Sequence, residues 1–364
     1  MYSSLKIGKF AGIRVQIHWT FWLLFLFIGF FVFSREGTFT DLLWYSLFIA
    51  GLFICVVLHE FGHALTAKKY GINTRSITLL PIGGLASLKK MPENPKQELL
   101  VAVAGPAVNV VIAIILAIFV PVENFLGMEA EALEQELAMV DANNFFFYLL
   151  TVNIALVLFN IIPAFPMDGG RIFRALLSMK VGRIKATQVA SSLGKFLALL
   201  FFLYGLFYGI ILSVIAVFIW FGAHSENIMI KQIELMKGYK IRDAMITEFT
   251  KLKPGDTLES VVNKILATTE KDFLVTENGD IAGILFMSDL SQALKESGKE
   301  TAVEKVMDTS VSRLEAGADL STAYRKLNHR NRNFFPVLED GQIVGVIDMN
   351  NINEFLTFRS AFEY

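Results

Sequence analysis

The stretch that decides this chain is Val56-Val57-Leu58-His59-Glu60-Phe61-Gly62-His63-Ala64, which contains the pattern His-Glu-x-x-His. On a helix, His59 and His63 lie one turn apart on the same face, so both imidazoles can bind one metal ion. Glu60 stands beside them and can take a proton from a metal-bound water. The pattern ends an apolar run that begins near Leu42, and ionisable side chains inside a membrane segment are rare and mostly functional. A metal site is therefore favoured over a chance match or two ordinary hydrogen-bonded histidines.

The composition is that of a membrane protein with a soluble part. Of the 364 residues, 54% are hydrophobic and 18% are charged, which exceeds the usual apolar share of a soluble domain. Residues 1–230 contain almost all of the long apolar runs, whereas residues 231–364 resemble an ordinary soluble module. The length thus predicts a membrane domain followed by a globular one. The net charge of −1 predicts no nucleic-acid partner, and the single cysteine, Cys55, excludes a disulfide framework and a cysteine-based zinc site.

Six membrane spans are predicted from the apolar runs. No small-residue cleavage site follows the first run, so it is interpreted as a retained span rather than a signal peptide. The uncharged stretch at 196–223 is ambiguous, because about 20 residues suffice to cross a bilayer. It fits either one tilted helix or part of a hairpin, and we favour two spans that turn near Tyr204-Gly205. The predicted spans are Val15–Phe33, Leu42–Leu65, Leu99–Val122, Ala142–Met167 and two that cover about 188–206 and 208–224.

Charges in the connections predict the orientation of the chain. The N-terminus and the connections at 66–97 and 169–187 are rich in Lys and Arg, whereas the connection at 123–141 has six acidic residues and no basic one. The positive-inside rule places the three basic segments in the cytoplasm and the acidic one outside. Lysines just beyond residue 230 place the C-terminal module inside as well. We therefore expect a multi-pass protein of the cell membrane with both ends in the cytoplasm.

Two histidines leave a catalytic zinc short of protein ligands, since such a site needs a third ligand and an open position for water. Asp168 is the leading candidate, in Asn160-Ile161-Ile162-Pro163-Ala164-Phe165-Pro166-Met167-Asp168-Gly169-Gly170-Arg171. The two prolines break the fourth span, and the glycine pair lets the chain turn toward the metal. Two alternatives stay open. Asp168 could instead cap the helix that carries Arg171, or His224 could supply the third ligand.

These motifs resemble those of the site-2 protease family of intramembrane zinc metalloproteases. The resemblance covers about residues 10–230 and rests on three motifs in the family's order. They are His-Glu-x-x-His, the sequence Gly105-Pro106-Ala107-Val108-Asn109 in the next span, and the run Asn-x-x-Pro-x-x-Pro-x-Asp-Gly. The resemblance implies a core of three helices, the second to fourth spans.

The resemblance also implies roles for individual residues. One Zn²⁺ per chain would be bound by His59, His63 and Asp168, with Glu60 as the catalytic acid and base. Asn160 is either an additional hydrogen-bond donor to substrate or a partner for backbone groups freed by the nearby proline. Asn109 is interpreted as a polar contact between packed helices.

The sequence from Ile77 to Leu88 resembles two short strands about a turn that contains Pro and Gly. A helical substrate hides its backbone amides, so cleavage requires a locally extended segment that can pair with a strand edge. Residues of this hairpin are therefore candidates for substrate binding; the alternative is a capped surface hairpin. The first, fifth and sixth spans are expected to flank the core and to gate lateral entry. The substrate candidates in the hairpin are Ile77, Leu79, Gly83 and Gly84.

The C-terminal region contains an internal repeat. Ile241-Arg242-Asp243-Ala244-Met245 matches Val303-Glu304-Lys305-Val306-Met307, and Asn278-Gly279-Asp280-Ile281-Ala282-Gly283-Ile284 matches Asp340-Gly341-Gln342-Ile343-Val344-Gly345-Val346, in both cases 62 residues later. Each repeat is predicted to end in a strand, a turn with Gly, a strand and a helix, and the two should pack as a pseudo-twofold pair. They resemble a pair of CBS motifs, which implies ATP or AMP as a regulatory ligand in the groove between them.

The residues of the usual ribose-binding tail, Gly-x-x-Thr/Ser-x-x-Asp, are only partly present. The first repeat keeps Asp289 but has Phe286 at the hydroxyl position, and the second repeat lacks both features. Asp289 is accordingly the one candidate for nucleotide binding. The alternative function of the pair is homodimerisation or substrate docking.

Together these observations predict a polytopic α-helical membrane protein with six transmembrane helices and a short β-hairpin near the active site, followed by a soluble α/β tandem CBS module. The predicted boundaries are 1–230 for the protease domain, 231–240 for a linker, and 241–300 and 301–364 for the CBS motifs. The predicted function is an intramembrane zinc endopeptidase that cuts membrane-embedded or membrane-associated proteins near the cytoplasmic face. The alternative is a membrane metal transporter or sensor that the CBS pair gates and that has no protease activity.

Overall fold

The computed structural model describes residues 4–81, 83–88, 92–123, 140–328 and 333–362. These residues form two compact units, Met1–Ile230 and Lys231–Tyr364. Most of the acidic connection predicted at 123–141 lies outside the described residues.

The first unit is a bundle of apolar helices, as the composition predicts for a polytopic membrane protein. Four of its helices, α2, α3, α6 and α7, are long and apolar enough to cross a membrane, whereas α1 and α4 are shorter apolar helices. The predicted total of six spans stays a prediction. The helices are α1 (Trp22–Ser34), α2 (Phe39–Lys69), α3 (Pro95–Phe119), α4 (Phe145–Ile161), α5 (Asp168–Val181), α6 (Arg183–Tyr208) and α7 (Ile210–Leu235).

Two predicted boundaries in this bundle are wrong. The first span does not begin at Val15, because Ile13–His18 is a strand and helix α1 starts at Trp22. The alternation of apolar and polar residues from Ile13 to Ile17 is the period of a strand rather than of a helix. The turn between α6 and α7 lies at Gly209 and not at Tyr204-Gly205. Gly205 is instead buried inside α6, where a Cβ would stand 2.5 Å from Oγ of Ser213 on α7.

The predicted hairpin is half of a four-stranded sheet. Its strands are β1 (Ser4–Phe10), β2 (Ile13–His18), β3 (Thr74–Leu80) and β4 (Gly83–Leu88), in the order β1-β2-β3-β4. Strand β2 pairs in parallel with β3, and β3 pairs in antiparallel with β4. Buried side chains of the two inner strands pack on α2 and on the turn that precedes α1, so the sheet is held against the helix of the His-Glu-x-x-His pattern. This core comprises Ile13, Phe21, Phe53, Ala64, Ile77 and Leu79.

The second unit contains the two predicted repeats. Each one has a three-stranded sheet and two helices, and each has a tight turn with positive φ at Asn278-Gly279 or Asp340-Gly341, as expected for a hairpin of this sequence. The first repeat comprises β5 (Lys251–Leu252), α8 (Leu258–Ala267), β6 (Phe273–Glu277), β7 (Asp280–Leu285) and α9 (Met287–Glu296); the second comprises β8 (Leu314–Glu315), α10 (Leu320–Asn328), β9 (Phe334–Glu339), β10 (Gln342–Asp348) and α11 (Met349–Phe362).

The repeats exchange equivalent backbone pairs, as a pseudo-twofold arrangement requires. Ile246 pairs with Val346 in the second repeat, and Asp308 pairs with Ile284 in the first. Each of these bridges is the other one displaced by the 62-residue period. Part of the segment predicted as a linker is ordered structure of this unit, because Met236 is buried in the core of the second repeat.

Candidate metal centre

Three ligand atoms from distant parts of the chain converge in the first unit. Nε2 of His59 and Nε2 of His63 are 3.1 Å apart, and Oδ2 of Asp168 lies 3.2 Å from the first and 3.1 Å from the second. All three residues are buried. Among the described residues, this is the group of His, Cys, Asp and Glu side chains that could hold a metal ion.

Asp168 reaches the histidines because α5 folds back closely on the end of α4. A Cβ on Gly169 would stand 2.2 Å from the carbonyl oxygens of Ile161 and Ile162, and one on Gly170 would stand 2.6 Å from the backbone of Ala164. The two glycines therefore permit an approach that no side chain would allow. Asp168 is the first residue of α5 rather than its N-cap, which is Met167, so the capping alternative does not describe its role.

The other ring nitrogen of each histidine is held by an oxygen. Nδ1 of His63 lies 2.7 Å from the backbone carbonyl oxygen of Val101, and Nδ1 of His59 lies 2.7 Å from Oδ1 of Asn109. A carbonyl oxygen only accepts, so Nδ1 of His63 carries the proton. With neutral imidazoles, the Nε2 atoms then point lone pairs at one another and at a carboxylate, an arrangement that a cation stabilises and water-free space does not.

Gly105 provides the room at the centre of this group. A Cβ on this residue of α3 would lie 2.2 Å from Nε2 of His63 and 2.7 Å from Nε2 of His59. The space that the missing side chain leaves is next to all three donor atoms. Two imidazole nitrogens and one carboxylate oxygen at these separations fit Zn²⁺, whose ligands lie about 2.0–2.2 Å from the ion in a site that keeps one position open.

Glu60 faces the sheet beside the donor atoms. Strand β4 passes so close that a Cβ on Gly84 would lie 3.0 Å from Cγ and 3.5 Å from Oε1 of Glu60. Of the other predicted substrate residues, Gly83 is also on β4, whereas Ile77 and Leu79 are buried on the inner strand β3. Asn160 is half-buried in the last turn of α4.

The remaining candidates lie away from this group. His224 is exposed on α7, and its Nδ1 lies 3.3 Å from Nζ of Lys195, so the structure does not bring it to the donor atoms. Asp289 is half-buried in the first turn of α9 in the second unit.

A buried ion cluster behind the site was not predicted. The Arg174 guanidinium on α5 is fully buried and makes ion pairs with Glu98 on α3 and Glu226 on α7. Its Nε donates to Oε1 of Glu98 at 2.8 Å. A buried arginine needs such partners, and the cluster ties three helices together six residues after Asp168. The sequence signal was an arginine and two glutamates beside apolar segments, but nothing in it indicated which charges pair.

The comparisons with known proteins agree with this site. Residues 47–204 match the model of peptidase family M50, and residues 241–296 and 303–357 match the CBS domain model. The zinc metalloprotease MJ0392 of Methanocaldococcus jannaschii is 34% identical over 97% of this chain and 96% of its own length. A putative zinc metalloprotease of Synechocystis sp., sll0528, is 26% identical over 99% of this chain and 97% of its own length.

Among solved structures, a site-2 protease from Methanocaldococcus jannaschii is 38% identical, with a TM-score of 0.43, and the match covers 62% of this chain and 95% of that one. The alternative of a transporter or sensor without protease activity finds no support in these relatives. The near full-length similarity and the family match show that this chain belongs to peptidase family M50, the site-2 proteases, and is a multi-pass membrane metalloendopeptidase with a C-terminal pair of CBS domains.

Proposed function

We propose that the chain hydrolyses peptide bonds of membrane-embedded or membrane-associated proteins near the cytoplasmic face, with His59, His63 and Asp168 as ligands of one Zn²⁺ and Glu60 as the general base. The observation that carries this proposal is the convergence of the two Nε2 atoms and Oδ2 within 3.2 Å of one another. Charged and polar groups of this kind are costly inside a bilayer unless they serve a function.

In such a site, zinc acts as a Lewis acid on the scissile carbonyl and makes water nucleophilic near neutral pH. The Glu60 carboxylate accepts the proton of the attacking water and returns it to the departing amine. The backbone oxygen of Val101 and the side chain of Asn109 keep the two imidazoles oriented. Two-proline geometry before Asp168 fixes the third ligand at the start of α5 rather than on a mobile loop.

The orientation of the site follows from the charges around it. Helix α2 ends in Lys68 and Lys69 one to two turns beyond His63, and α5 carries Arg171 and Lys180 after Asp168. Basic residues at membrane ends mark the cytoplasmic side. The site is accordingly nearer to the cytoplasm.

The experiment is cleavage of a membrane-tethered protein by the purified chain in vesicles. A membrane-impermeant chelator added outside should stop cleavage in vesicles with the cytoplasmic face outward, and zinc should restore it. Vesicles of the opposite orientation should resist the chelator. Cleavage that no chelator affects in either orientation would overturn the proposed metal-dependent function.

Substrate binding is proposed to use the edge of β4. Strand β3 is paired on both sides, to β2 and to β4, so the buried Ile77 and Leu79 support the sheet and cannot offer a free edge. Strand β4 is the outer strand of the sheet, and its Gly84 is adjacent to Glu60. An extended substrate added to this edge would pass the catalytic carboxylate, with Gly83 and Gly84 leaving room for its side chains.

Strand addition predicts a period of two in the backbone requirements of the substrate. In a synthetic substrate with single N-methylated amides around the scissile bond, every second position should lower kcat/KM by about tenfold or more, because each such amide loses one hydrogen bond to the strand edge. The intervening positions serve as internal controls and should change little. Equal tolerance at all positions would contradict strand addition.

Nucleotide binding by the CBS pair is a separate proposal. A cleft of about 740 Å³ in the second unit is lined by residues of both repeats, among them Phe249, Phe334 and Asp272. Burial raises the pKa of the Asp272 carboxyl, and the negative charges of Asp348 and Asp289 raise it further. The surroundings are thus acidic, and a nucleotide phosphate would need a divalent cation to bind there.

Calorimetry of the full-length chain with ATP and AMP tests this proposal. We expect ATP to bind at least about tenfold more tightly with Mg²⁺ than without it, since the cation offsets repulsion between phosphate and carboxylates. Asp289→Asn should weaken binding if this residue contacts the ribose. Absence of heat at millimolar ligand would instead favour homodimerisation or substrate docking as the function of the pair.

A further inference from the structure

We propose that Asn153 is a positioning residue for the metal site, which acts on His59 through Asn109. The inference rests on the proposed function, because it concerns a ligand of the proposed Zn²⁺. Asn153 is on α4, Asn109 on α3 and His59 on α2, and both asparagines are completely buried. The three side chains form one hydrogen-bonded chain across the three helices.

The direction of each hydrogen bond follows from its last member. The backbone carbonyl oxygen of Leu149 only accepts, so the amide group 2.8 Å away must be Nδ2 of Asn153. Oδ1 of Asn153 therefore faces Asn109, which must present its own Nδ2 at 3.0 Å. Oδ1 of Asn109 is left to face Nδ1 of His59 at 2.7 Å. That nitrogen must carry the proton, and Nε2 keeps the lone pair that a metal ion requires.

A merely structural role would not require this order. Buried amides between membrane helices also serve as packing contacts, and either orientation of an isolated amide pair could do so. Here the carbonyl of Leu149 fixes one end, and the metal-facing nitrogen of His59 is the other. If the link to Asn153 is lost, the Asn109 amide can rotate and present Nδ2 to His59. The imidazole then has to accept at Nδ1, which puts its proton on Nε2 and blocks the metal ligand.

The experiment is a double-mutant cycle with the zinc dissociation constant as its readout, measured by competition with a chelator on the purified full-length chain. Asn153→Leu removes the remote link but keeps the volume of the side chain. Asn109→Asp replaces the amide by a carboxylate with two equivalent oxygens, so rotation no longer changes what faces His59. The cycle therefore separates control of orientation from packing.

In the wild-type background, we expect Asn153→Leu to weaken zinc binding by about tenfold, within the range known for groups that orient a metal ligand. In the Asn109→Asp background, the same change should cause no loss, because the acceptor at Nδ1 is fixed. Asn109→Leu, which removes that acceptor, should weaken binding by about 10- to 100-fold.

An equal loss from Asn153→Leu in both backgrounds would overturn the proposal, since it would show a packing effect. Wild-type affinity in Asn153→Leu would overturn it as well. These outcomes differ from failure of the proposed function, in which the wild-type chain itself would bind no zinc. If Asn109→Leu does not fold, the comparison of Asn153→Leu with the Asn109→Asp variants still decides.

Discussion

Glu60→Gln is expected to keep its zinc and to lose about 10²- to 10⁴-fold in the rate of cleavage, the usual contribution of a general base. The amide has nearly the same shape as the carboxylate but cannot accept the proton of the attacking water. Because Glu60 is not among the three converging ligand atoms, the metal content should not change. The rate of cleavage of a membrane-tethered substrate and the zinc content of the same preparation are the two measurements.

A matched control is Glu234→Gln, which makes the same substitution in the last turn of α7, where the side chain pairs with Lys237 at the surface. Its zinc content and activity should equal those of the wild-type chain. Wild-type turnover in Glu60→Gln would show that another group takes the proton and would remove Glu60 from the mechanism. Loss of zinc in this variant would show instead that Glu60 supports the metal site.

The chemistry of the site could be predicted from the sequence because its signals are local. The helical spacing places His59 and His63 on one face, whatever the rest of the fold. The prolines and glycines around Asp168 indicate a break in an apolar helix, and a carboxylate at such a break has few roles other than function. The repeat beginning at Ile241 is equally local, since each half is a self-contained sequence of strands and helices.

The parts that could not be predicted depend on pairing between distant residues. Asn109 was interpreted as a contact between helices, but its second partner, His59, is visible only when α2 and α3 are placed side by side. The partners of Arg174 come from Glu98 and Glu226, each more than 50 residues away. Charge alone does not identify such pairs. The strand from Ile13 to His18 was included in a membrane span because a window of hydrophobicity does not separate alternation from continuity.

Gly105→Ala is expected to abolish zinc binding at equimolar metal, a loss of at least about 100-fold in affinity, because one methyl group would occupy the space between the ligands. The added Cβ would stand 2.2 Å from Nε2 of His63 and 2.5 Å from its Cε1, and a ring that is also bound at Nδ1 has no room to move aside. In a helix, Gly→Ala otherwise stabilises by about 0.5–1 kcal/mol. The local effect of the substitution and its effect on the metal site thus have opposite signs.

Gly29→Ala is the matched control, since it makes the same change in helix α1 at a position where a Cβ meets nothing within 4 Å. Its zinc content should equal that of the wild-type chain, and its thermal stability should be unchanged or slightly higher. Zinc analysis and thermal unfolding of the two variants separate loss of the ligand space from a general effect on helix packing. If Gly105→Ala retained one zinc per chain, the ion could not lie between His59, His63 and Asp168 against α3, and the arrangement of ligands proposed for this protease would have to be abandoned.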